Sequence, residues 1–244
     1  MNYDDLLDLV KQRRSIRQFK PDLIPDEYID KIIEVARWAP SGFNTQPWEF
    51  VVIRNKELKD KIVDVVDTYK STQFNQMELS REEWQGTGYK PRPKGPLDFR
   101  GAPVFIALYG DPRTKVGLPM AVWYTPNKRE SIFNSSLANA YLYMHLAAAS
   151  LGLTSQWITA VQYPFVNCSV KEILGIPREM EAYDIMALGY PAATPNGKYL
   201  RDKADMVHYD FCGPDAFRTD EEVKDFIKKI RNWSRGTYGV QPEK

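Results

Sequence analysis

The most constraining feature of the chain is a polar turn that joins an amphipathic helix to an apolar strand. Before the turn, apolar residues recur at helical spacing, and Pro40 ends the helix because proline disfavours helical backbone in the residue before it. After the turn, residues 50–53 are typical of a buried strand. The turn itself offers hydroxyl groups, amides and a glycine: Ser41, Gly42, Asn44, Thr45 and Gln46. This composition predicts either a surface for a planar polar ligand or a tight turn that only satisfies its own backbone.

A cluster of cations follows the first short amphipathic helix. Arg13, Arg14 and Arg17 lie within five residues, and Ser15 stands between them. Guanidinium groups present a rigid fork of donors to phosphate oxygens, and a serine hydroxyl adds one more donor. The cluster predicts a phosphate site. The alternative is a solvated basic helix end, since cations are favourable at a helix C-terminus.

Taken in this order, the two motifs resemble the start of the FMN-dependent nitroreductase family. They read Arg-Arg-Ser-x-Arg-x-Phe at 13–19 and Ala-Pro-Ser-x-x-Asn-x-Gln-Pro-Trp-x-Phe at 39–50. Two later stretches fit the same family, an apolar helix with its Leu-Gly-Leu end at 146–153 and a strand ending in Gly-Tyr-Pro at 186–191. The resemblance therefore covers most of the chain.

The resemblance implies an α+β fold, namely a three-layer α/β/α sandwich around a mixed, largely antiparallel sheet. It also implies a homodimer with two sites at the interface. The chain would form one domain over 1–244, with an insertion or lid at about 70–101 and a C-terminal extension from about 210. A length of 244 residues suits a single layered domain of this class.

FMN as cofactor and NAD(P)H as co-substrate are further implications of the resemblance. Arg13, Arg14 and Ser15 would hold the phosphate, and Arg17 would place positive charge near N1 and O2 of the flavin. The other implied contacts are Gln46; Pro40, Ser41, Gly42 and Asn44 from the other subunit; Thr159 and Ala160 beside the ring; and Lys198 and Arg201 near the phosphate. Of the last two, Arg201 is the better candidate.

The implied reaction is ping-pong: NAD(P)H gives hydride to FMN and leaves, and an electron-poor nitroaromatic or quinone then accepts the electrons. Phe43, Trp123 and Tyr124 are candidates for contact with this small aromatic substrate, although the last two could equally be core aromatics. No catalytic side chain is assigned, because the isoalloxazine carries the chemistry.

Other activities fit the same cradle. A specialised member of the fold, such as a reductive dehalogenase of halogenated phenols or a flavin-fragmenting oxygenase, would use the same FMN site. A charged lid residue that holds a zwitterionic substrate would favour the dehalogenase, and Glu78, Glu82, Glu83 and Lys90 lie in the insertion. Outside enzymes, the alternative is a flavin carrier or sensor.

Charge and cysteine content argue against several other classes. The 33 basic and 32 acidic residues leave a net charge of +1, which creates no field for nucleic acid or an anionic membrane. Cys168 and Cys212 stand alone, so neither a disulfide framework nor a metal site is indicated. The apolar run at 142–153 is too short to span a bilayer, and no signal peptide is seen. We expect a cytoplasmic protein.

Local patterns predict further elements. The apolar run 104–109 is typical of a central strand covered on both faces. A long helix is expected over about 131–151, its alanine-rich face permits close helix packing, and the resemblance implies that this helix lies at the dimer interface. Capping-box patterns at 169–172 and 219–222 predict two helix starts, and Asn55 predicts the cap of another helix.

Overall fold

The structure, a computed structural model, describes residues 2–81, 98–194, 198–213 and 216–236, with backbone only for the last six. These residues fall into two compact units, one made of the chain up to residue 69 with 98–194 and the other of 70–81 with the described residues from 198 onward. The insertion and the extension expected from the sequence both belong mainly to the second unit. The single-domain expectation stays a prediction.

Among the described residues, helices occur in both units and the four strands belong to the first unit. In chain order they are α1 (Tyr3–Gln12), α2 (Asp26–Arg37), β1 (Trp48–Ile53), α3 (Lys56–Tyr69), α4 (Asn75–Leu79), β2 (Val104–Gly110), α5 (Met120–Tyr124), α6 (Lys128–Ser150), β3 (Thr154–Ile158), α7 (Pro164–Leu174), β4 (Glu181–Gly189) and α8 (Asp220–Gly236). Shorter turns lie between them, of the 3-10 type at Gly42–Asn44, Asp98–Gly101, Pro112–Gly117 and Thr159–Gln162 and of the π type at Lys70–Phe74.

Two of the predicted helix caps are present. The Asn55 side chain accepts a hydrogen bond from the Leu58 backbone N–H at 3.0 Å, which starts α3. Thr219 and Glu222 form the reciprocal bonds of a capping box at the start of α8, with Glu222 N–H donating to Thr219 Oγ1 at 3.3 Å and Thr219 N–H donating to the carboxylate at 2.8 Å. Both predictions are confirmed because a cap depends on residues close in sequence.

The helix start predicted at 169–172 is wrong. Helix α7 begins at Pro164, and Ser169 lies inside it, where its hydroxyl donates to the Phe165 carbonyl at 2.9 Å. Proline suits the first turn of a helix, since its missing N–H would have no acceptor there, and the true start therefore precedes the pattern. The predicted end is confirmed by Gly175 in the left-handed conformation at φ 67°.

The first residues of the predicted insertion are helical rather than irregular. The π turn at Lys70–Phe74 leads into α4, which begins at Asn75. Within this stretch the Asn75 side chain donates to the Ser71 carbonyl at 3.4 Å. Residues 82–97 of the proposed lid, among them Glu82, Glu83 and Lys90, lie outside the described residues.

The strands form one sheet in the order β1-β2-β4-β3, and each neighbouring pair is antiparallel. Every residue of β2 is buried, which confirms the predicted central strand. A bulge between Leu108 and Tyr109 shifts its register with β4. A parallel bridge between Ser15 and Ser155 adds the segment after α1 to the sheet, on the β3 side.

Different helices cover the two faces of the sheet. Along β2, side chains alternate between faces with a period of two, and Ile106 belongs to the core shared with α2 and α6. On the other face, Lys59 of α3 lies over the Phe105 ring and donates to the carbonyls of Ala102 and Pro103 at 2.7 and 2.8 Å. Helix α3 packs against α7 on that side. The three-layer α+β sandwich is confirmed.

Helix α6 agrees with the long helix predicted from the sequence, but its alanines face inward. Ala147 and Ala148 are buried in the core of this chain, with exposures of 6% and 0%. The alanine-rich face therefore packs within the chain, and the place of α6 at a dimer interface stays a prediction. The exposed apolar residue of this helix is Leu142, at 46%. Over the described part of the chain, no helix combines the length and apolar character needed to cross a membrane.

Candidate functional site

The arginine cluster lies along the edge of β3 that does not pair with β4. Ser15 bridges to Ser155, and the Thr154 hydroxyl lies 3.4 Å from the Arg14 carbonyl, to which it donates. Because β3 is an edge strand, its unpaired backbone groups are available for this segment. Two further backbone hydrogen bonds attach this segment to the residues that follow β4. Lys20 N–H donates to Tyr190 O at 2.9 Å, and Ala192 N–H donates to Gln18 O at 3.0 Å.

The electrostatics of this cluster favour an anion. Arg13 is half-buried, and its pKa is lowered chiefly by desolvation and further by the charge of Arg14. The charge of Arg13 also adds to burial in lowering the pKa of His145 to about 3, so the guanidinium lies near this end of α6. Like charges gathered in a partly desolvated place are stabilised by an opposite charge. The residues present therefore suit a phosphate.

The turn at 40–46 is fixed to α6. The Gly42 N–H donates to Ser136 Oγ at 3.1 Å, and that hydroxyl donates to the Ile132 carbonyl at 2.8 Å. The Asn139 side chain donates to the Pro40 carbonyl at 2.9 Å. A Cβ on Gly42 would clash with Ile132 Cγ2, so any other residue here would force the turn or the Ile132 side chain to move.

Backbone strain concentrates in the same turn. Phe43, Asn44 and Gln46 have φ values of 55°, 54° and 44°, in the left-handed region, and such conformations cost about 1–3 kcal/mol each. The Gln46 N–H donates to Ser41 Oγ, and its side-chain amide donates to Asn44 Oδ1, both at 3.1 Å. Phe43 is 60% exposed. The turn thus satisfies its own backbone and also presents an aromatic ring rigidly to solvent.

Within one chain, the turn and the arginine cluster lie at different positions along α6. The turn contacts Ser136, whereas the charge of Arg13 acts on His145. Nine residues separate these positions, which is about 13 Å along a helix axis. The two predicted halves of the cofactor site are therefore associated with different parts of α6, and their joint role stays a prediction.

Thr159 and Ala160 occupy the 3-10 turn after β3, and one buried carboxyl holds the residues on both sides of them. Asp184 Oδ2 accepts the indole N–H of Trp157, and Oδ1 accepts the side-chain N–H of Gln162 at 3.2 Å. Burial raises the pKa of Asp184 to about 6, and the two hydrogen bonds act in the opposite direction. Sequence reasoning assigned no role to this acid, although an aspartate directly before the apolar run 185–188 of β4 is a detectable signal.

The two residues after β2 that are candidates for contact with the substrate are both exposed to solvent. Trp123 is 39% exposed, and the Arg129 guanidinium lies 4.3 Å from its ring centroid. Tyr124 is 80% exposed, so the alternative that it is a core aromatic is wrong. Lys198 and Arg201 belong to the second unit, where Arg201 donates to the Asp205 carbonyl at 2.8 Å. Their contact with a phosphate stays a prediction.

Sequence reasoning missed the polar residues of α6 that hold the turn. Ser136 and Asn139 lie directly beside the buried residues Leu137 and Ala140, and polar residues at such positions were the available signal. His145 was left without chemistry, and its Nδ1 lies 2.6 Å from Ser155 Oγ in a buried pair. In the part of the chain that the structure describes, no cluster of three or more His, Cys, Asp or Glu side chains is suited to a metal ion.

Comparisons with known proteins identify the family of this chain. The model of the nitroreductase family matches residues 10–190, more than half of the chain. A protein of Methanothermobacter thermautotrophicus, whose name gives NADH dehydrogenase or NAD(P)H nitroreductase as its activity, is 30% identical over 206 residues, covering 84% of this chain and 86% of that protein.

Two deiodinases are similar over nearly the same length. An iodotyrosine deiodinase of Thermotoga neapolitana is 29% identical over 209 residues, covering 84% of this chain and 97% of that protein. A crystal structure of oxidized iodotyrosine deiodinase bound to FMN and 3-iodo-L-tyrosine has a TM-score of 0.65 and 26% identity, with coverage of 85% and 100%. The family model and the archaeal relative both span most of the sequence, and the chain therefore belongs to the nitroreductase family.

Proposed function

We propose that this FMN-dependent oxidoreductase takes hydride from NAD(P)H and reduces an electron-poor aromatic acceptor, a nitroaromatic or a quinone, in a ping-pong cycle. The observation that carries the proposal is the half-buried arginine cluster beside β3, because its desolvated like charges match a phosphate. Family membership supports the flavin, and the strained turn at 40–46 supports a preorganised ligand surface.

The residues present fit FMN on the chemistry of their donors. Arg13, Arg14 and Ser15 would hold the phosphate by charge-assisted hydrogen bonds. Arg17 would keep positive charge beside N1 and O2 of the ring, where negative charge gathers on reduction. When bound, FMN supplies the hydride and electron transfer, and the protein positions it and excludes competing reactions.

The proposed site is shared between the subunits of a homodimer. Within one chain the turn is held by Ser136 and Asn139 of α6, whereas the charge of Arg13 acts on His145 farther along the helix, so a turn from the partner subunit is proposed to complete each site. This turn would contribute Pro40, Ser41, Gly42 and Asn44, with Gln46 in support. Its rigid backbone would present Phe43 to the acceptor, and Trp123 and Tyr124 are further candidates for that contact. A two-fold axis then creates two identical sites.

Steady-state kinetics on the purified protein test this function. NADH and NADPH oxidation would be followed with menadione and with a nitroaromatic at several fixed acceptor concentrations. A ping-pong cycle gives parallel double-reciprocal lines, and the protein as isolated should contain FMN that acid releases. Colourless protein that FMN does not reconstitute would overturn the proposal. Bound FMN without turnover of any acceptor would instead favour a carrier or sensor.

Reductive dehalogenation is the second candidate, and a specific observation favours it. The Thermotoga deiodinase is matched over 97% of its length, so this chain contains nearly all of the corresponding sequence. The same assay with 3-iodotyrosine as acceptor, read as iodide release, separates the two functions. Iodide release faster than nitroaromatic reduction would replace the first proposal by the second.

A further inference from the structure

We propose that Asp184 is a positioning residue that clamps the segment 157–162, and that the exposed face of the Trp157 indole contacts the flavin ring. The inference rests on the proposed FMN site and adds two residues to it. It concerns how this chain shapes the ring end of the site, on β3 and β4, rather than the phosphate end.

The clamp uses both oxygens of one buried carboxyl. Asp184 is 2% exposed, and it accepts from the Trp157 indole and from the Gln162 side chain. Gln162 also donates to the Tyr183 carbonyl at 2.7 Å, which ties the far end of the segment to β4. Thr159 and Ala160 lie between the two donors, so their backbone is held from both sides.

Packing alone does not account for a carboxyl at this position. Its neighbours are aromatic: the Tyr141 and Trp157 rings have centroids 4.7 Å apart, and the Trp157 and Tyr183 rings 6.3 Å apart. An ionised carboxyl is costly to bury, and an apolar side chain would avoid that cost. What the carboxyl of Asp184 provides is acceptance from two N–H donors at once, because an amide has only one acceptor oxygen.

Strand β3 places the indole beside the path of the cofactor. Ser155, whose backbone bridges to Ser15, and Trp157 lie on the same face of β3, about 7 Å apart along the strand. The inner side of the indole packs on Tyr141 and on His145, with ring centroids 5.5 Å apart in the second pair. The side chain is nevertheless 40% exposed. A ligand anchored by its phosphate and running along β3 toward Thr159 meets this exposed face.

Contact between indole and flavin has an optical signature that does not depend on turnover. An excited flavin accepts one electron from an indole in contact with it, and the electron returns to the indole without net chemistry. The fluorescence of bound FMN is therefore quenched. Phenylalanine is not oxidised in this way, so Trp157→Phe keeps a ring for stacking and removes both the quencher and the donor to Asp184.

The experiment compares variants of the full chain at saturating FMN. Trp157→Phe tests the contact, and Asp184→Asn tests the clamp, since the amide presents a donor to one of the two N–H groups. Asp67→Asn is the matched control, because Asp67 is also a buried acid, 8% exposed, on α3 at the opposite face of the sheet. Gln162→Leu removes the second donor from outside the core and keeps the test valid if Asp184→Asn does not fold.

We expect bound FMN to be dim in the wild type and in Asp67→Asn, and clearly brighter in Trp157→Phe. Asp184→Asn and Gln162→Leu should brighten it as well, and the Kd of FMN should rise by about two- to tenfold in each, the range of one aromatic contact. Equal quenching in Trp157→Phe and the wild type would overturn the contact. If Asp184→Asn and Gln162→Leu have the same FMN fluorescence and the same Kd as Asp67→Asn, the clamp is overturned. A wild-type chain that binds no FMN overturns the proposed function, and this inference with it.

Discussion

The Arg13 guanidinium is half-buried, and the charge of Arg14 adds to desolvation in lowering its pKa. We expect its contribution to cofactor binding to be measurable in a single variant. Arg13→Ala removes a charge-assisted contact of about 1.5–3 kcal/mol, and the Kd of FMN should rise about ten- to hundredfold. Fluorescence titration of the apoprotein measures this change. Arg100→Ala is the control, because Arg100 pairs with Asp60 and Asp64 on the α3 side. Equal Kd values for the two variants would contradict the assignment.

Gly42 is the residue of the turn with the least room. Gly42→Ala places a methyl group against Ile132 Cγ2 and should cost about 1–3 kcal/mol of stability, the usual range for overpacking. It should also lower kcat/KM, since the turn must move away from α6. Thermal unfolding and steady-state kinetics measure both effects.

Two further variants make the Gly42 prediction specific. Gly117→Ala is the control, because nothing lies within 4 Å of the Cβ that it would add. Ile132→Ala combined with Gly42→Ala should recover part of the lost stability, because residues in contact couple energetically. Additive losses in the double variant would show that the methyl group of Ile132 is not the obstacle.

Asp184 and His145 give opposite pH dependences. The pKa of Asp184 rises from 3.8 to about 6 in the folded state, so its contribution to stability falls as pH rises from about 4 to 6 and is constant above. The pKa of His145 falls from 6.5 to about 3, so its contribution is complete above 6.5 and is lost as pH falls toward 3. Each slope reaches about 1.4 kcal/mol per pH unit.

These slopes nearly cancel between pH 4 and 6 in the wild type. Asp184→Asn should reveal a free energy of unfolding that rises with pH over this window, and His145→Gln should reveal one that falls. Urea unfolding at pH 4, 5, 6 and 7, with the same FMN concentration throughout, measures both. If the free energy of unfolding changed with pH in the same direction in both variants, at least one of the two pKa shifts would be refuted.

At the scale of elements, what the sequence predicted well is local. Asn55, the capping box at 219–222 and the apolar run of β2 involve residues close together, and each is found as expected. Helix α7 starts earlier than its pattern because a proline at its first position competes with a capping box inside it.

The sequence predicted the two motifs of the candidate site but not the tertiary contacts that position them. Nothing in the local sequence pairs Ser15 with Ser155 or places Ser136 under Gly42, because these contacts join residues far apart in the chain. Strand β3 was not predicted as a strand, since Thr154–Ile158 lacks a regular alternation of apolar residues. The role of Asp184 depends on the same tertiary placement.

Helix α6 offers a prediction about the proposed interface. Leu142→Glu should weaken dimer formation and FMN retention together while the subunit stays folded, because Leu142 is exposed. Ala148→Glu places a charge in the core of the chain and should unfold it instead. Light scattering alongside flavin content and circular dichroism distinguishes these results. A Leu142→Glu protein that remains dimeric would remove this face of α6 from the interface.

At the scale of the whole molecule, helix α1 leaves an apolar surface uncovered within one chain. Tyr3, Leu6 and Val10 share a face of the helix and are 74%, 44% and 49% exposed. A helix of 10 residues is marginal without tertiary packing. We expect the second subunit of the proposed homodimer to supply that packing. An FMN that binds only the assembled state stabilises it by mass action, which links cofactor affinity to association.

The association of the turn and of the arginine cluster with different parts of α6 has a genetic consequence. If each site takes its arginines from one subunit and its turn from the other, an Arg13→Ala chain and a Gly42→Ala chain can complement each other. In a mixed dimer one site receives both defects and the other receives neither. Random reassembly of equal amounts would make half of the dimers mixed and restore about a quarter of the wild-type sites. Activity of the reassembled mixture that stays at the mean of the two parent variants would locate both halves of the site in a single chain.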